Sequence, residues 1–250
     1  MVAKSTLAAA VVAFSLVATI GGAIGAQQPR STPSRPVSID LSKERVGTEP
    51  KSFIPIVGDW VIAQDEGRKV VMVDGRKWKR GQPAGGLADR AREIYGARHE
   101  DFIDNVAAFA YYPTAVAKGI DNFENGELSV KFKMIGGALD RAQGIMFNLK
   151  TNGDWLAVRY NGTEDNLVLW TYTNGKRAYT KGGSENVPLE LGTWHEIRVG
   201  VHGIKLTASL DGKVLIEYDL KEPVNGKVGL WAKTDTMAEF DAFTVTPAAK

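Results

Sequence analysis

The chain contains no cysteine. Disulfides, thiol chemistry and lipid attachment through an N-terminal cysteine are therefore excluded, and a folded domain must rest mainly on buried apolar surface. Histidine is scarce as well: His99, His195 and His202 are the only three, and none stands in a zinc-ligand spacing. The odd interval between His195 and His202 would put them on opposite faces of an unbroken strand. No long block of one charge occurs, with 31 Lys and Arg against 29 Asp and Glu and a formal charge of +2. That balance gives no electrostatic case for a nucleic-acid partner. The densest basic stretch, Arg76 to Arg80, carries Trp78 but is bracketed by Gly75 and Gly81, and it reads as a solvated turn. The glycines punctuate hairpins instead of opening a helix, so phosphate loops are missing too.

What is present begins with a leader. Met1 to Ala26 has one cation, Lys4, then an apolar stretch from Leu7 to Ile20 and a run of small residues ending at Gly25 and Ala26. This is the form of a secretory signal, and an apolar run of roughly 14 residues is short of the ~20 needed to span a bilayer. Cleavage is expected, with a secreted or periplasmic product and no permanent membrane anchor. Residues 27–50, with Pro29, Pro33, Pro36 and Pro50 among Ser, Thr and Arg, predict a disordered or extended linker. The folded domain is expected over residues 53–246, a length that suits one large all-β unit.

Strand signals fill that span. FIPIVGDWVIA and RKVVMV flank the polar turn Asp65-Glu66-Gly67, and GELSVKFKM puts Leu128, Val130, Phe132 and Met134 on one face with Ser129, Lys131 and Lys133 on the other. GIMFNL, WLAVRY, NLVLWTY, KRAYTK, WHEIRVGV, IKLTASL and KVLIEYDL follow. Turns are expected at Asn152-Gly153, Asn161-Gly162, Asn174-Gly175 and Asp211-Gly212. The one departure is Leu87 to about Val106, where Leu87, Ala91, Ile94 and Tyr95 recur near a 3.6 period and Gly96 interrupts. It reads as a short helical excursion capping one end of the core. Gly226 to Val245, GKVGLWAKTDTMAEFDAFTV, reads as the last hairpin, its second run alternating Met237, Glu239, Asp241 and Phe243 with Ala238, Phe240, Ala242 and Thr244. About a dozen antiparallel strands in a β-sandwich fit the count and the length.

GGALDRAQGIMFNL, GDWLAVRYNGTEDNLVLWTYTNGKRAY, GTWHEIRVGV, LDGKVLIE and GKVGLWAKTDTMAEFDAFTV form one collinear pattern. It resembles the exported bacterial concanavalin A-like jelly-roll domains grouped with laminin G-like and 3-keto-disaccharide hydrolase-type proteins. The likeness runs from Val57 to Val245 and implies an antiparallel jelly roll. It does not name a reaction, because one sandwich hosts lectins, glycosidases and adhesion modules. The resemblance also implies a structural calcium ion, for which Asp241 near the last strand is the candidate carboxylate.

A glucanase of that superfamily would show E-x-D-x-(x)-E on one strand, with two carboxyl groups about 5 Å apart in the cleft. No such triplet occurs, and catalytic residues are not assigned. The richest face belongs to WLAVRY and GLWAK. Trp155 and Arg159 share one side of their strand, and Trp231 and Lys233 one side of theirs. With Asp140, Gln143 and Asn148 nearby and Glu164 and Asp165 in the following turn, they would line a shallow groove for a sugar. The plainer alternative makes the tryptophans strand aromatics and pairs Arg159 with Glu164 or Asp165. Two function classes follow. One is a non-catalytic glycan-binding or surface-interaction module with carbohydrate as partner. The other is a hydrolase of a glycoside or 3-keto-disaccharide using Asp140, Arg159 and Glu164 or Asp165.

Overall fold

The computed structural model describes residues 35–79, 82–183 and 186–248, so the expected leader lies outside the described residues. Among the described residues, fifteen strands form two antiparallel sheets. Sheet A runs β13 (Lys213–Asp219), β12 (Lys205–Leu210), β11 (Trp194–His202), β6 (Gly126–Gly136), β15 (Met237–Pro247), β4 (Arg68–Asp74) and β3 (Trp60–Asp65), with β1 (Val37–Ser38) paired on β15. Sheet B runs β10 (Lys176–Gly182), β9 (Asn166–Thr173), β8 (Trp155–Asn161), β7 (Ala142–Leu149), β14 (Lys227–Ala232), β5 (Thr114–Ala117) and β2 (Phe53–Val57). The result is the antiparallel β-sandwich that the alternation predicts.

The inner faces of the two sheets make the main core. Leu128, Val130, Phe132 and Met134 of β6 are all buried there, as their alternation requires, and meet Ile145, Phe147, Val158 and Tyr160 of sheet B. Phe132 stacks on Tyr160 across the sandwich with centroids 6.0 Å apart. β7 and β8 are buried along their whole length. Strands covered on both faces read as continuous apolar runs, which explains why AQGIMFNL and WLAVRYN show weak polar alternation.

The cover on the second face of sheet B is the helical excursion. α1 (Leu87–Tyr95) and α2 (His99–Phe109) are separated by a 3-10 turn at Gly96–Arg98, close to the expected span and break. They do not cap an end of the sandwich. Ala91 and Ile94 of α1 and Phe102 and Val106 of α2 share a second core with Ile54, Ile56, Val116, Met146, Trp155, Tyr172 and Trp231. A 3.6-period apolar stripe needs a flat apolar partner, and only a sheet face offers one of that size.

Three expectations are corrected. Gly226 to Val245 is not a hairpin: β14 pairs with β5 and β7 in sheet B, while β15 pairs with β4, β6 and β1 in sheet A, so the turn between them crosses the sandwich. Within β15 a register shift between Asp241 and Thr244, with Ala242 at φ 52°, resets the alternation and brings both Phe240 and Phe243 into the core. The turn after β8 places its left-handed residue at Asp165 (φ 49°), not at Asn161-Gly162, whereas Asn174-Gly175 and Asp211-Gly212 have positive φ at both positions.

Of the linker expected over residues 27–50, residues 27–34 lie outside the described residues, and residues 35–50 pack onto the domain instead of running free. Val37 and Ser38 pair with Val245 and Thr244, and Leu41 is buried in the main core. The buried Glu44 carboxylate accepts the backbone N–H groups of Lys51 and Ser52 at 2.8 to 3.1 Å. Ile39 and Leu41 are the anchors that composition alone hides, because they are sparse apolar residues in a proline-rich stretch.

Trp231 is fully buried between sheet B and the segment after α2. Trp231→Ala is expected to lower stability by about 3–5 kcal/mol in urea unfolding, whereas Val214→Ala at an exposed strand edge should stay within about 0.5 kcal/mol.

Candidate functional site

The outer face of sheet B is divided. Where the helices lie, Trp155 and Trp231 form an aromatic cluster with Tyr112 and Tyr172: Trp155 stacks on Tyr172 at 4.9 Å, and Tyr112 stacks on Trp231 at 5.5 Å. Both tryptophans point to the expected side and lie 6.1 Å apart, but at 2% and 0% exposure neither can stack on a sugar. Their alternation was legible; their cover was not.

Beyond the helices the face opens at β9 and β10, next to the buried β8. Arg159 stands opposite Gly144 on one side and Val168 on the other. Gly144 lies between Trp231 and Arg159 in the cross-strand row, and a Cβ there would sit 2.1 Å from the Val158 carbonyl oxygen. Only glycine fits that approach. Arg159 is 3% exposed and donates from Nη2 to Glu164 Oε2 at 2.7 Å, and from Nη1 to the Asn166 side-chain oxygen and backbone carbonyl. A buried guanidinium left without such acceptors would be strongly destabilising. Burial lowers its pKa against the opposing pull of Glu164 and Asp140. For Glu164, burial would raise the carboxyl, but Arg159, Asn166 and Lys233 outweigh it and hold the group below its usual value.

Asp140 arrives from the loop before β7. The crossing turn between β14 and β15 holds that loop: Asp235 accepts the backbone N–H groups of Ala138, Leu139 and Asp140 at 2.8 to 3.1 Å. Thr236 Oγ1 accepts the Ala142 N–H at 3.1 Å, and Lys233 donates its own N–H to the Ala142 carbonyl at 3.0 Å. Lys233 is thereby placed to form an ion pair with the buried Asp140 carboxylate.

Four of the sequence candidates thus gather: Asp140, Arg159, Glu164 and Lys233. Five do not. Trp155 and Trp231 are covered. Gln143 lies opposite Tyr160 and Ala232 and so faces the main core, with both side-chain polar atoms unpartnered among the described residues. Asn148, at φ 56°, is at the far end of β7, where its side-chain oxygen accepts the Asn225 N–H at 2.9 Å. Asp165 turns toward the core side and accepts the Tyr160 hydroxyl at 3.3 Å. Asp241, the calcium candidate, stands apart from this group on β15, where its oxygens accept from Arg68 at 3.0 Å and the Ala242 N–H at 2.7 Å. No cluster of three or more His, Cys, Asp or Glu that could hold a metal exists among the described residues.

Four neighbours were not anticipated. Asn166, Trp170, Arg177 and Tyr179 complete the open strip, with Trp170 half-buried and Tyr179 61% exposed. Arg159 lies over Trp170 at 5.8 Å, Arg177 over the same ring at 4.2 Å, and Tyr179 meets it edge-on at 5.7 Å. The signal was available, because a two-residue Asn174-Gly175 turn makes Tyr172 face Arg177 and Trp170 face Tyr179 by counting alone.

The chain matches no family model, and no curated protein matches it in sequence. Solved structures do share its architecture. The carbohydrate-binding module CBM66 from Bacillus subtilis is similar over 78% of this chain and 96% of its own, with a TM-score of 0.55 and 12% identity. A protein of unknown function with a galectin-like fold, also from Bacillus subtilis, is similar over 80% of this chain and 91% of its own, with a TM-score of 0.51 and 12% identity. The fold is a jelly roll of the concanavalin A-like kind. At such identity the likeness speaks for architecture alone.

Asp235 gives this site a pH signature. Burial would raise its carboxyl, but the N–H groups of Leu139, Ala138 and Asp140 hold it below the ordinary 3.8. A folded pKa below the unfolded one stabilises above the unfolded value and is lost as pH falls through the folded one. Asp235→Ala is therefore expected to cost about 1–3 kcal/mol at neutral pH. The gap from the parent protein should close as pH drops below about 3.8 in denaturant titrations, and an equal gap at both pH values would contradict the carboxylate clamp.

Proposed function

We propose that the protein is an exported, non-catalytic glycan-binding module whose site is the open strip of sheet B. The observation that carries this reading is the juxtaposition of a half-buried aromatic, Trp170, with the buried Arg159 and the more open Glu164 and Asn166 that engage it. A sugar has an apolar face and a rim of hydroxyls. It suits a rigid aromatic beside fixed polar groups. Lys233 and Asp140 extend the polar rim, and Tyr179 extends the aromatic one. The jelly-roll likeness to a carbohydrate-binding module supports the reading at the level of fold. Export rests on the leader, and a secreted or periplasmic location follows from it.

Electrostatics favour binding over the hydrolase alternative. A glycosidase needs one carboxyl that stays protonated near neutral pH. Glu164, the half-exposed acid of the cluster, is held ionised by Arg159, Asn166 and Lys233, and Asp140 is engaged by Lys233. Turnover of glycosides or 3-keto-glucosides that disappears in Asp140→Asn would reverse this preference.

Trp170→Ala is expected to weaken binding to the best ligand on a glycan array about ten-fold, near 1.4 kcal/mol. Trp194→Ala, a change in sheet A, should leave affinity unchanged. Equal binding by the Trp170 variant and the parent protein would sink the assignment of the site.

A further inference from the structure

Charge around the open strip is not balanced. Glu164 answers Arg159, and Asp140 answers Lys233. Arg177 has neither a hydrogen bond nor an ion pair with any described residue, although it is close enough to Arg159 to depress that group's pKa. Nor is it a free-swinging surface cation. Its guanidinium lies 4.2 Å over the Trp170 ring and 5.5 Å from the Tyr112 ring, so the cation rests against two aromatic rings while its N–H donors remain unclaimed among the described residues. The Trp170 indole N–H beside it also lacks an acceptor among the described residues.

A guanidinium held against aromatic rings with its donors unclaimed matches one kind of partner best, a planar anion that accepts two parallel N–H bonds. We propose that the ligand is an acidic saccharide bearing a carboxylate, as in a uronic-acid unit, and that Arg177 receives that carboxylate beside Trp170. This rests on the glycan-binding reading above and names its substrate class. Arg177 sits opposite Tyr172 on β10, one strand beyond Trp170, so a bound saccharide would extend across β9 toward the sheet edge. Hydroxyls would meet the Arg159–Glu164 side, and the charge would meet the edge.

The test is binding of the full mature chain to an array of uronate-containing glycans and their carboxyl-reduced counterparts, read at low and high salt. The parent protein is expected to prefer the acidic member of a pair by about ten-fold or more, with the preference shrinking as salt screens the exposed contact. Arg177→Gln should abolish the preference while leaving residual binding to the reduced form. Arg177→Lys, which keeps the charge but loses the fork, should retain salt-sensitive attraction with less discrimination. Thermal melts of both variants check that the β9–β10 hairpin is intact, and if Arg177→Gln fails to fold, the lysine variant and the salt dependence carry the decision. Binding to reduced glycans with no preference for the acidic forms overturns this inference and leaves the module reading standing. Binding to no glycan of either kind overturns both.

Discussion

Burial of sheet B on both faces is the constraint on which the rest of the molecule depends. One face belongs to the sandwich core, and α1 and α2 take most of the other, so β2, β5, β7, β8 and β14 have few side chains left to meet solvent. That arrangement turns a sheet face that would otherwise be a broad platform into a strip at β9 and β10, bordered by β8. It also explains why the most aromatic-rich strands carry the least accessible aromatics. Trp155 and Trp231 stabilise the seating of the helices, a role in which large apolar area matters more than a free indole edge.

The same constraint governs the charged groups. Arg159 lies at the border between covered and open surface, where burial is already severe and water is a poor substitute for protein acceptors. Its stability therefore depends on Glu164 and Asn166 arriving from the turn into β9. The turn after β14 does the corresponding work for Asp140: one carboxylate, Asp235, gathers three successive N–H groups, and one hydroxyl, Thr236, ties the start of β7. The crossing between sheets is thus also the device that fixes one side of the strip.

Local signals were legible where one element answers to one period. β6 alternated as read, the 87–106 excursion was helical with its break at Gly96, and Asn174-Gly175 and Asp211-Gly212 turned as expected. What failed depended on partners far away in sequence. Nothing local in GKVGLW and FDAF says that the two runs join different sheets, and a single bulge residue, Ala242, exchanges the faces of everything after it. Gln143 was misplaced for a related reason: alternation defines two faces but not which of them is the core, and a polar residue at 0% exposure runs against the usual guess. Asp140, Arg159, Glu164 and Lys233 were all nameable from sequence, because each lies within a few residues of a strand end. Their convergence was not.

A basic edge strand has an ordinary explanation that must be weighed against any recognition role. β10 ends sheet B, and exposed cations on such a strand discourage pairing with another chain. Lys176 and Lys181 meet that need, since each is exposed and neither is among the cations that stack on a described aromatic ring. Arg177 differs in where its charge is kept. A gatekeeping cation works by projecting into water, whereas this guanidinium lies back along the outer face onto Trp170 and Tyr112, toward the already charged border at Arg159. Holding two like charges near one aromatic ring has an electrostatic cost that edge protection does not require. An anion arriving between them would relieve it.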